Sequence, residues 1–237
     1  LPGEPILYLG DTARMPYGDR PAGEIDRLTG ELTGWLLRQN VKALIAACGT
    51  ISCNADNTLK KLSVPCFDVV TAAAEAAAQA TRNGRVGLAA TSATIRSGRF
   101  AEEIERRTGQ AVTAVPCPLL APMIEHGAGP DDPALAAAVA EYCQPLLQSG
   151  VDTVVLGCTH YPLIAELFTR ILGPEVTLID CAGEAAKAAA EAMKEQHLLA
   201  EGNDPAVTEY RFTALPPQAA RQTARRMLGE DFTPRLL

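Results

Sequence analysis

Two cysteines follow apolar runs that can be superposed on each other. Residues 41–47 lead into Cys48, and residues 151–157 lead into Cys158. In both segments a valine precedes the cysteine by seven residues. A short apolar run of this kind predicts a buried strand. We therefore expect each cysteine at the carboxyl end of a parallel strand, at the edge of the sheet where open α/β folds bind ligands.

Two thiols that face each other can remove a proton from one side of a carbon atom and return one to the opposite side. A thiol suits this task because its ordinary pKa of about 8.5 lies within reach of neutral pH. A following helix N-terminus would stabilise a thiolate and bind a carboxylate. His160 lies two residues beyond Cys158 and is placed to exchange a proton with it. The spacing thus predicts Cys48, Cys158 and His160 as catalytic residues.

The remaining thiols have a simpler interpretation. Free cysteine is among the most buried residue types, so a core role is expected for five of the seven. These five are Cys53, Cys66, Cys117, Cys143 and Cys181. A zinc site would need four regularly spaced ligands, whereas the sequence has no CxxC pair and three histidines, so no metal is expected.

The elements that must position the cysteines alternate between strand and helix. This alternation predicts parallel sheets covered by helices on both faces, including helices over residues 52–62, 99–108 and 133–148. The two cysteine signals favour two pseudo-symmetric α/β domains with the active site in the cleft between them. We expect the first domain to comprise residues 1–70 and 183–237, and the second to comprise residues 71–182.

The composition argues against nucleic acids and membranes as binding partners. The 237 residues include 21 basic and 28 acidic side chains, a net charge of −7, without the basic tract that nucleic-acid binding requires. No apolar run approaches the roughly 18–20 residues of a membrane span. Residues 1–5 lack the features of a secretory leader. Seven cysteines in a chain of this size indicate free thiols in a reducing compartment, so we expect a cytoplasmic protein without nucleic-acid or membrane partners.

The cysteine segments resemble the glutamate racemases, within the aspartate/glutamate racemase superfamily. Four segments carry the resemblance, in the order expected for that family. They are residues 8–18 (YLGDTARMPYG), 47–50 (ACGT), 90–97 (ATSATIRS) and 156–163 (LGCTHYPL).

The resemblance implies two α/β domains and a cofactor-independent interconversion of L- and D-glutamate that supplies peptidoglycan synthesis. Cys48 and Cys158 would be the acid/base residues, His160 would assist Cys158, and the enzyme would be a cytoplasmic homodimer. Asp11 and Glu125 would support the site. The positions matching the family's substrate-binding residues are Pro16, Tyr17, Gly18, Gly49, Thr50, Thr91, Thr94, Thr159 and His160.

Two departures from the family pattern keep alternatives open. The sequence begins just before the GDT segment, and the family's preceding Asp-Ser-Gly loop has no counterpart in it, as expected for a truncated gene product or a fragment. Gly49 stands where the family usually has asparagine, which would remove a side-chain amide contact. One alternative is therefore a catalytically impaired glutamate-binding homologue, and another is a racemase of a different acidic amino acid. A purely structural module would instead bury Cys48 and Cys158 far apart.

Overall fold

A computed structural model of the chain describes residues 3–200, 206–229 and 232–237. Residues 1 and 2, part of the stretch on which the leader expectation rests, lie outside these ranges. The strands are β1 Ile6–Gly10, β2 Leu44–Ala46, β3 Cys66–Asp68, β4 Val86–Ala90, β5 Thr113–Pro116, β6 Thr153–Leu156, β7 Thr177–Asp180, β8 Thr208–Phe212 and β9 Pro234–Leu236. The helices are α1 Ala22–Leu37, α2 Gly49–Asn54, α3 Asp56–Leu59, α4 Val69–Ala80, α5 Ser92–Ser97, α6 Arg99–Thr108, α7 Leu120–Glu125, α8 Pro133–Gln148, α9 Ala165–Leu172, α10 Cys181–Glu195 and α11 Gln218–Leu228, with a 3-10 turn at Tyr161–Ile164.

The strands form three parallel sheets. Four strands make the largest sheet, in the order β5-β4-β6-β7. The two smaller sheets have the orders β1-β8-β9 and β2-β3. Every pairing between described strands is parallel, as the alternation of strands and helices predicts. The predicted α/β class is confirmed.

The four-stranded sheet is buried on both faces, which explains why its strands read as continuous apolar runs. All five residues of β4 are buried. One face packs against α7, α8 and α9, with Leu135, Leu146 and Phe168 fully buried. The other face packs against α4, α6 and α10, with Phe100 and Ile104 fully buried. These two cores fix β4 and β6, the strands that lead into the loops carrying Thr91 and Cys158.

Helices α4 and α10 join the largest sheet to the rest of the chain. They pack against each other, and α10 also contacts β2, β3 and β7. Alanines allow this close approach, since Ala73, Ala77, Ala185 and Ala189 are all fully buried. The predicted domain limits at residues 70 and 182 stay predictions. The strands of the large sheet lie between residues 86 and 180, and the other strands lie outside that range.

The single helix predicted over residues 52–62 is wrong. The structure has two short helices there, α2 and α3, because Ala55 leaves the helical conformation with φ −117° and ψ 32°. Asp26 of α1 holds the second piece, since its carboxylate accepts a hydrogen bond from the Thr58 N–H at 3.0 Å. Within the described ranges, no helix combines the length and apolar character that a membrane span requires.

Candidate active site

The first half of the site lies where β2 ends and α2 begins. Cys48 has an extended backbone, with φ −113° and ψ 119°, and immediately precedes the helix. Burial raises the pKa of the Cys48 thiol, whereas hydrogen bonds from the backbone N–H groups of Ile51 and Thr50 act in the opposite direction. Burial outweighs these hydrogen bonds, and the nearby Cys158 adds to the increase. The resting form of Cys48 at neutral pH is therefore the thiol, a proton donor.

The second half of the site lies beyond β6. Cys158 is buried, and its Sγ lies 3.6 Å from Nδ1 of His160. The other ring nitrogen of His160, Nε2, lies 3.2 Å from Oε1 of Glu125, the last residue of α7. Burial opposes a charge on His160, but the hydrogen bonds to Cys158 and Glu125 outweigh it and raise the pKa of His160 to about 10. An imidazolium at neutral pH thus separates a sulfur from a carboxylate.

A chain of hydroxyl groups extends the first half of the site from α2 to α5. Thr50 Oγ1 lies 3.0 Å from Thr91 Oγ1, which lies 3.0 Å from Thr94 Oγ1. Thr91 also begins α5, where its hydroxyl accepts a hydrogen bond from the Thr94 N–H. In the first turn of α5 the Ala93 N–H donates to the Gly18 carbonyl at 3.0 Å. These contacts join the loop after β1, the start of α2 and the start of α5 around one polar region.

Asp11 organises the loop after β1. Its carboxylate accepts hydrogen bonds from Thr213 Oγ1 at 2.6 Å, from Arg14 Nε at 3.0 Å and from the Tyr17 hydroxyl. Burial alone would raise the pKa of Asp11, but these donors outweigh it and lower the pKa. Burial and the adjacent carboxylate raise the pKa of Tyr17. The guanidinium of Arg14 is shared with a second carboxylate, that of Glu31.

The two cysteine loops are in direct contact. An ideal Cβ placed on Gly49 would lie 2.4 Å from the carbonyl oxygen of Gly157. Because Gly49 follows Cys48 and Gly157 precedes Cys158, the backbones of the two halves meet beside the two sulfurs. All seven cysteines lie in the described ranges and are free thiols. This contact is the opposite of what a purely structural module predicts, since that module would hold Cys48 and Cys158 far apart.

The structure brings most of the expected site residues to this region. Cys48, Gly49, Thr50, Thr91 and Thr94 form its first half, with Gly18, Tyr17 and Asp11 beside them, and Cys158, His160 and Glu125 form its second half. Thr159 is half-buried between Cys158 and His160. Pro16 is exposed, and its carbonyl oxygen accepts a hydrogen bond from Arg20.

Two residues of the site were missed by the sequence reasoning. Thr213 holds Asp11 although 202 positions separate them. The pairing of β1 with β8, in which Gly10 lies opposite Phe212, places the next residue of each strand side by side. That pairing has no local signal in the sequence. The second residue, Gly157, had a signal, since it directly precedes a predicted catalytic cysteine.

Comparison with known proteins identifies the family to which this chain belongs. Residues 2–189 match the Asp/Glu/Hydantoin racemase family, and the chain belongs to that family. Within it, the chain is 40% identical over 234 residues to the glutamate racemase of Syntrophus aciditrophicus (strain SB), covering 98% of this chain and 86% of that protein.

Solved structures of glutamate racemases have the same fold. The chain superposes on the enzyme from Francisella tularensis subsp. tularensis SCHU S4, in complex with D-glutamate, with a TM-score of 0.91 and 30% identity. That match covers 99% of this chain and 88% of the other. The Thermus thermophilus enzyme, in complex with β-chloro-D-alanine, matches with a TM-score of 0.86 and 38% identity, covering 100% and 88% of the two chains. The likeness thus extends over nearly the whole chain and supports the expected two-domain α/β fold.

Proposed function

We propose that this protein interconverts L- and D-glutamate by cofactor-independent proton transfer at the α-carbon, with Cys48 and Cys158 as the two acid/base residues. The observation that carries the proposal is the contact between the two cysteine loops, with His160 and Glu125 behind one of them. A relative named glutamate racemase, 40% identical over 98% of the chain, supports glutamate as the substrate.

The proposed reaction balances without any co-reactant. A cysteine thiolate removes the α-proton, so the C–H bond breaks, an S–H bond forms, and the electron pair remains on the α-carbon and its carboxylate. The thiol on the opposite face then gives its proton to that carbon, which inverts the configuration. Each turnover therefore exchanges the protonation states of the two cysteines, and the reverse reaction uses them in the opposite order.

The charges of the site suit these roles. Cys48, with its raised pKa, is a proton donor at neutral pH. The imidazolium of His160 stabilises negative charge on the Cys158 sulfur and can return a proton to it. The hydroxyls of Thr50, Thr91 and Thr94 are preorganised donors for the charge that develops on the substrate carboxylate.

The remaining assignments are part of the same proposal. Asp11 holds Tyr17 in place, and Glu125 holds His160. The substrate is bound by Pro16, Tyr17, Gly18, Gly49, Thr50, Thr91, Thr94, Thr159 and His160. The product D-glutamate would supply peptidoglycan synthesis in the cytoplasm, and the active form would be a homodimer. Neither a cofactor nor a metal takes part in the proposed steps.

Proton exchange in D2O tests the proposal. The purified protein is incubated with L-glutamate, the α-proton signal is followed by NMR, and the configuration of the product is assayed separately. We expect deuterium at the α-carbon together with D-glutamate. Because general acid–base groups contribute roughly 10²–10⁴-fold to rate, Cys48→Ser and Cys158→Ser should each reduce racemisation at least a hundredfold. Cys66→Ser is the matched control, a half-buried thiol on β3 that should keep the activity within about twofold.

The alternatives predict different results. A folded protein that binds glutamate without exchanging its α-proton would support the impaired, glutamate-binding homologue. Faster exchange of the α-proton of aspartate than of glutamate would show that the protein is a racemase of a different acidic amino acid. Full racemisation by either cysteine variant would contradict the two-thiol mechanism itself.

A further inference from the structure

Gly49 is the point at which the two halves of the site touch. It is buried, and the Cβ that any other residue would carry there lies 2.4 Å from the Gly157 carbonyl oxygen and 3.8 Å from Thr94 Oγ1. A separation of 2.4 Å from a backbone oxygen is well inside van der Waals contact. Gly49 is the first residue of α2 and its φ is not positive, so its backbone conformation is open to any L-residue. Position 49 is therefore restricted to glycine by steric hindrance, and the hindering group is the Gly157 carbonyl of the opposite half.

The opposing carbonyl cannot easily withdraw. The Gly157 N–H donates to the Ala89 carbonyl at 2.8 Å, which extends the β4–β6 ladder by one residue. A Cβ on Gly157 would itself lie 2.9 Å from Leu88 Cδ1 and 3.0 Å from Ala90 Cβ. This peptide is consequently held against the central strand of the large sheet. A side chain at position 49 would have to push the two halves apart instead of repacking locally.

The first half is held as firmly. Ser52 Oγ donates to the Ala46 carbonyl at 3.0 Å, and the Ser52 N–H donates to the Cys48 carbonyl at 2.8 Å. Asn54 Nδ2 donates to the Thr50 carbonyl at 2.9 Å. The Ser52 Oγ bond fastens α2 to the end of β2, and the other two bonds hold α2 and Cys48 together, so the Cys48 loop and the end of β2 form one hydrogen-bonded unit.

We propose that Gly49 is a positioning residue that sets how closely the Cys48 and Cys158 loops approach, an inference that rests on the proposed function of these two cysteines. Because Gly49 has no side chain, the Cys48 loop can pack directly against the Gly157 carbonyl. The Cβ of the asparagine that the motif usually carries here would lie 2.4 Å from that carbonyl oxygen. Gly49→Asn is therefore expected to lower the activity of this protein, although it restores the family residue.

Kinetics of two variants test the inference. We expect Gly49→Ala to reduce kcat at least tenfold for both enantiomers, and Gly49→Asn to reduce it further, with a smaller change in KM. The matched control is Gly23→Ala in α1, where an added Cβ has no heavy atom within 4 Å, and it should keep kcat within twofold. Either Gly49 variant with kcat within twofold of the unsubstituted protein would overturn the inference.

Hydrogen–deuterium exchange gives a readout that needs no activity. In the unsubstituted protein without ligand, peptides covering residues 49–54 and 157–161 should exchange as slowly as those from α8. In Gly49→Ala both peptides should exchange at least tenfold faster while α8 is unchanged, since the effect is local separation and not general unfolding. Rapid exchange of both peptides in the unsubstituted protein would overturn the inference even if a variant failed to fold. A protein that shows this exchange pattern without racemising glutamate would refute the proposed function while leaving the Gly49 contact intact.

Discussion

Replacing Glu125 by glutamine removes the carboxylate that pairs with His160, the imidazole that also contacts the Cys158 sulfur. The carboxylate lies 3.2 Å from His160 Nε2. Two unit charges about 4 Å apart at an effective dielectric constant of 20 interact by about 4 kcal/mol. The two side chains are 29% and 26% exposed, so solvent screening leaves roughly a third to a half of that energy. Since one pH unit corresponds to about 1.36 kcal/mol, Glu125→Gln should lower the pKa of His160 by roughly one to one and a half units.

Imidazole NMR measures this shift directly. The protein has three histidines, and the other two, His126 and His197, are exposed, so only three imidazole signals have to be assigned. We expect His160 to titrate near 10 in the unsubstituted protein and roughly one unit or more lower in Glu125→Gln. The matched control is Glu141→Gln, which removes an exposed carboxylate on α8 and should leave the titration of His160 unchanged.

The same shift fixes the sign of the pH dependence. The folded-state pKa of His160 is raised above its ordinary value of 6.5, so its charge pairs stabilise the fold fully below about pH 6.5. That contribution is lost as the pH rises through about 10. The alkaline limb of kcat/KM should move to lower pH in Glu125→Gln by the same roughly one unit or more. A His160 that titrates near 6.5 in the unsubstituted protein, or one that Glu125→Gln does not move, would refute the reasoning.

Two further substitutions probe how the site is supported. Arg99→Gln removes ion pairs from a mostly buried guanidinium to Asp56 at 2.8 Å and to Asp68 at 3.0 Å, which should cost about 1–3 kcal/mol in the free energy of urea unfolding. Gly87→Ala places a Cβ 2.6 Å from Leu146 Cδ2 in the core of the large sheet. This overpacking should cost about 1–3 kcal/mol and lower the thermal midpoint by several degrees.

Each substitution has a control that makes the same chemical change at an exposed position, so the contribution of burial can be measured by itself. Arg106→Gln also removes an arginine ion pair, to Glu103, but on an exposed helix face where solvent screens the pair, so little stability should be lost. An Arg99→Gln variant no less stable than Arg106→Gln would contradict the role given to burial. Gly23→Ala makes the same change as Gly87→Ala in open space. If both alanine variants unfolded at the same urea concentration, the steric argument for Gly87 would be wrong.

Elements with strong local signals were predictable from the sequence. The helices predicted over residues 99–108 and 133–148 have those bounds as α6 and α8. Gly109 ends α6 with a φ of +70°, and the Asp132 carboxylate caps α8 by accepting hydrogen bonds from the Ala134 and Leu135 N–H groups. Capping and terminating residues of this kind lie within a few residues of the helix that they delimit, so the helix bounds can be predicted from the local sequence.

The short helices that position the site could not be found in this way. Ser92–Ser97 supplies Thr94, and Leu120–Glu125 ends with the carboxylate that holds His160. Each has six residues, fewer than two turns, which is too short for an apolar period to be recognised and too short to be stable alone. Their geometry comes mainly from packing against other helices, α2 and α6 for the first and α8 and α11 for the second. The motifs therefore predicted which residues matter without predicting what holds them.

Gly49 shows why a departure from a motif needs the opposite half of the molecule to be interpreted. The sequence indicates a lost amide contact, whereas the structure has a carbonyl oxygen 2.4 Å from the place that a Cβ would take. Superposing the two cysteine segments pairs Gly49 with Thr159 and Gly157 with Ala47. The internal repeat therefore does not predict the contact between Gly49 and Gly157, because it joins non-equivalent positions of the two halves. Pseudo-symmetry brings two thiols to one site, and it is the asymmetry around them that gives His160 to one thiol and a close-packed glycine to the other.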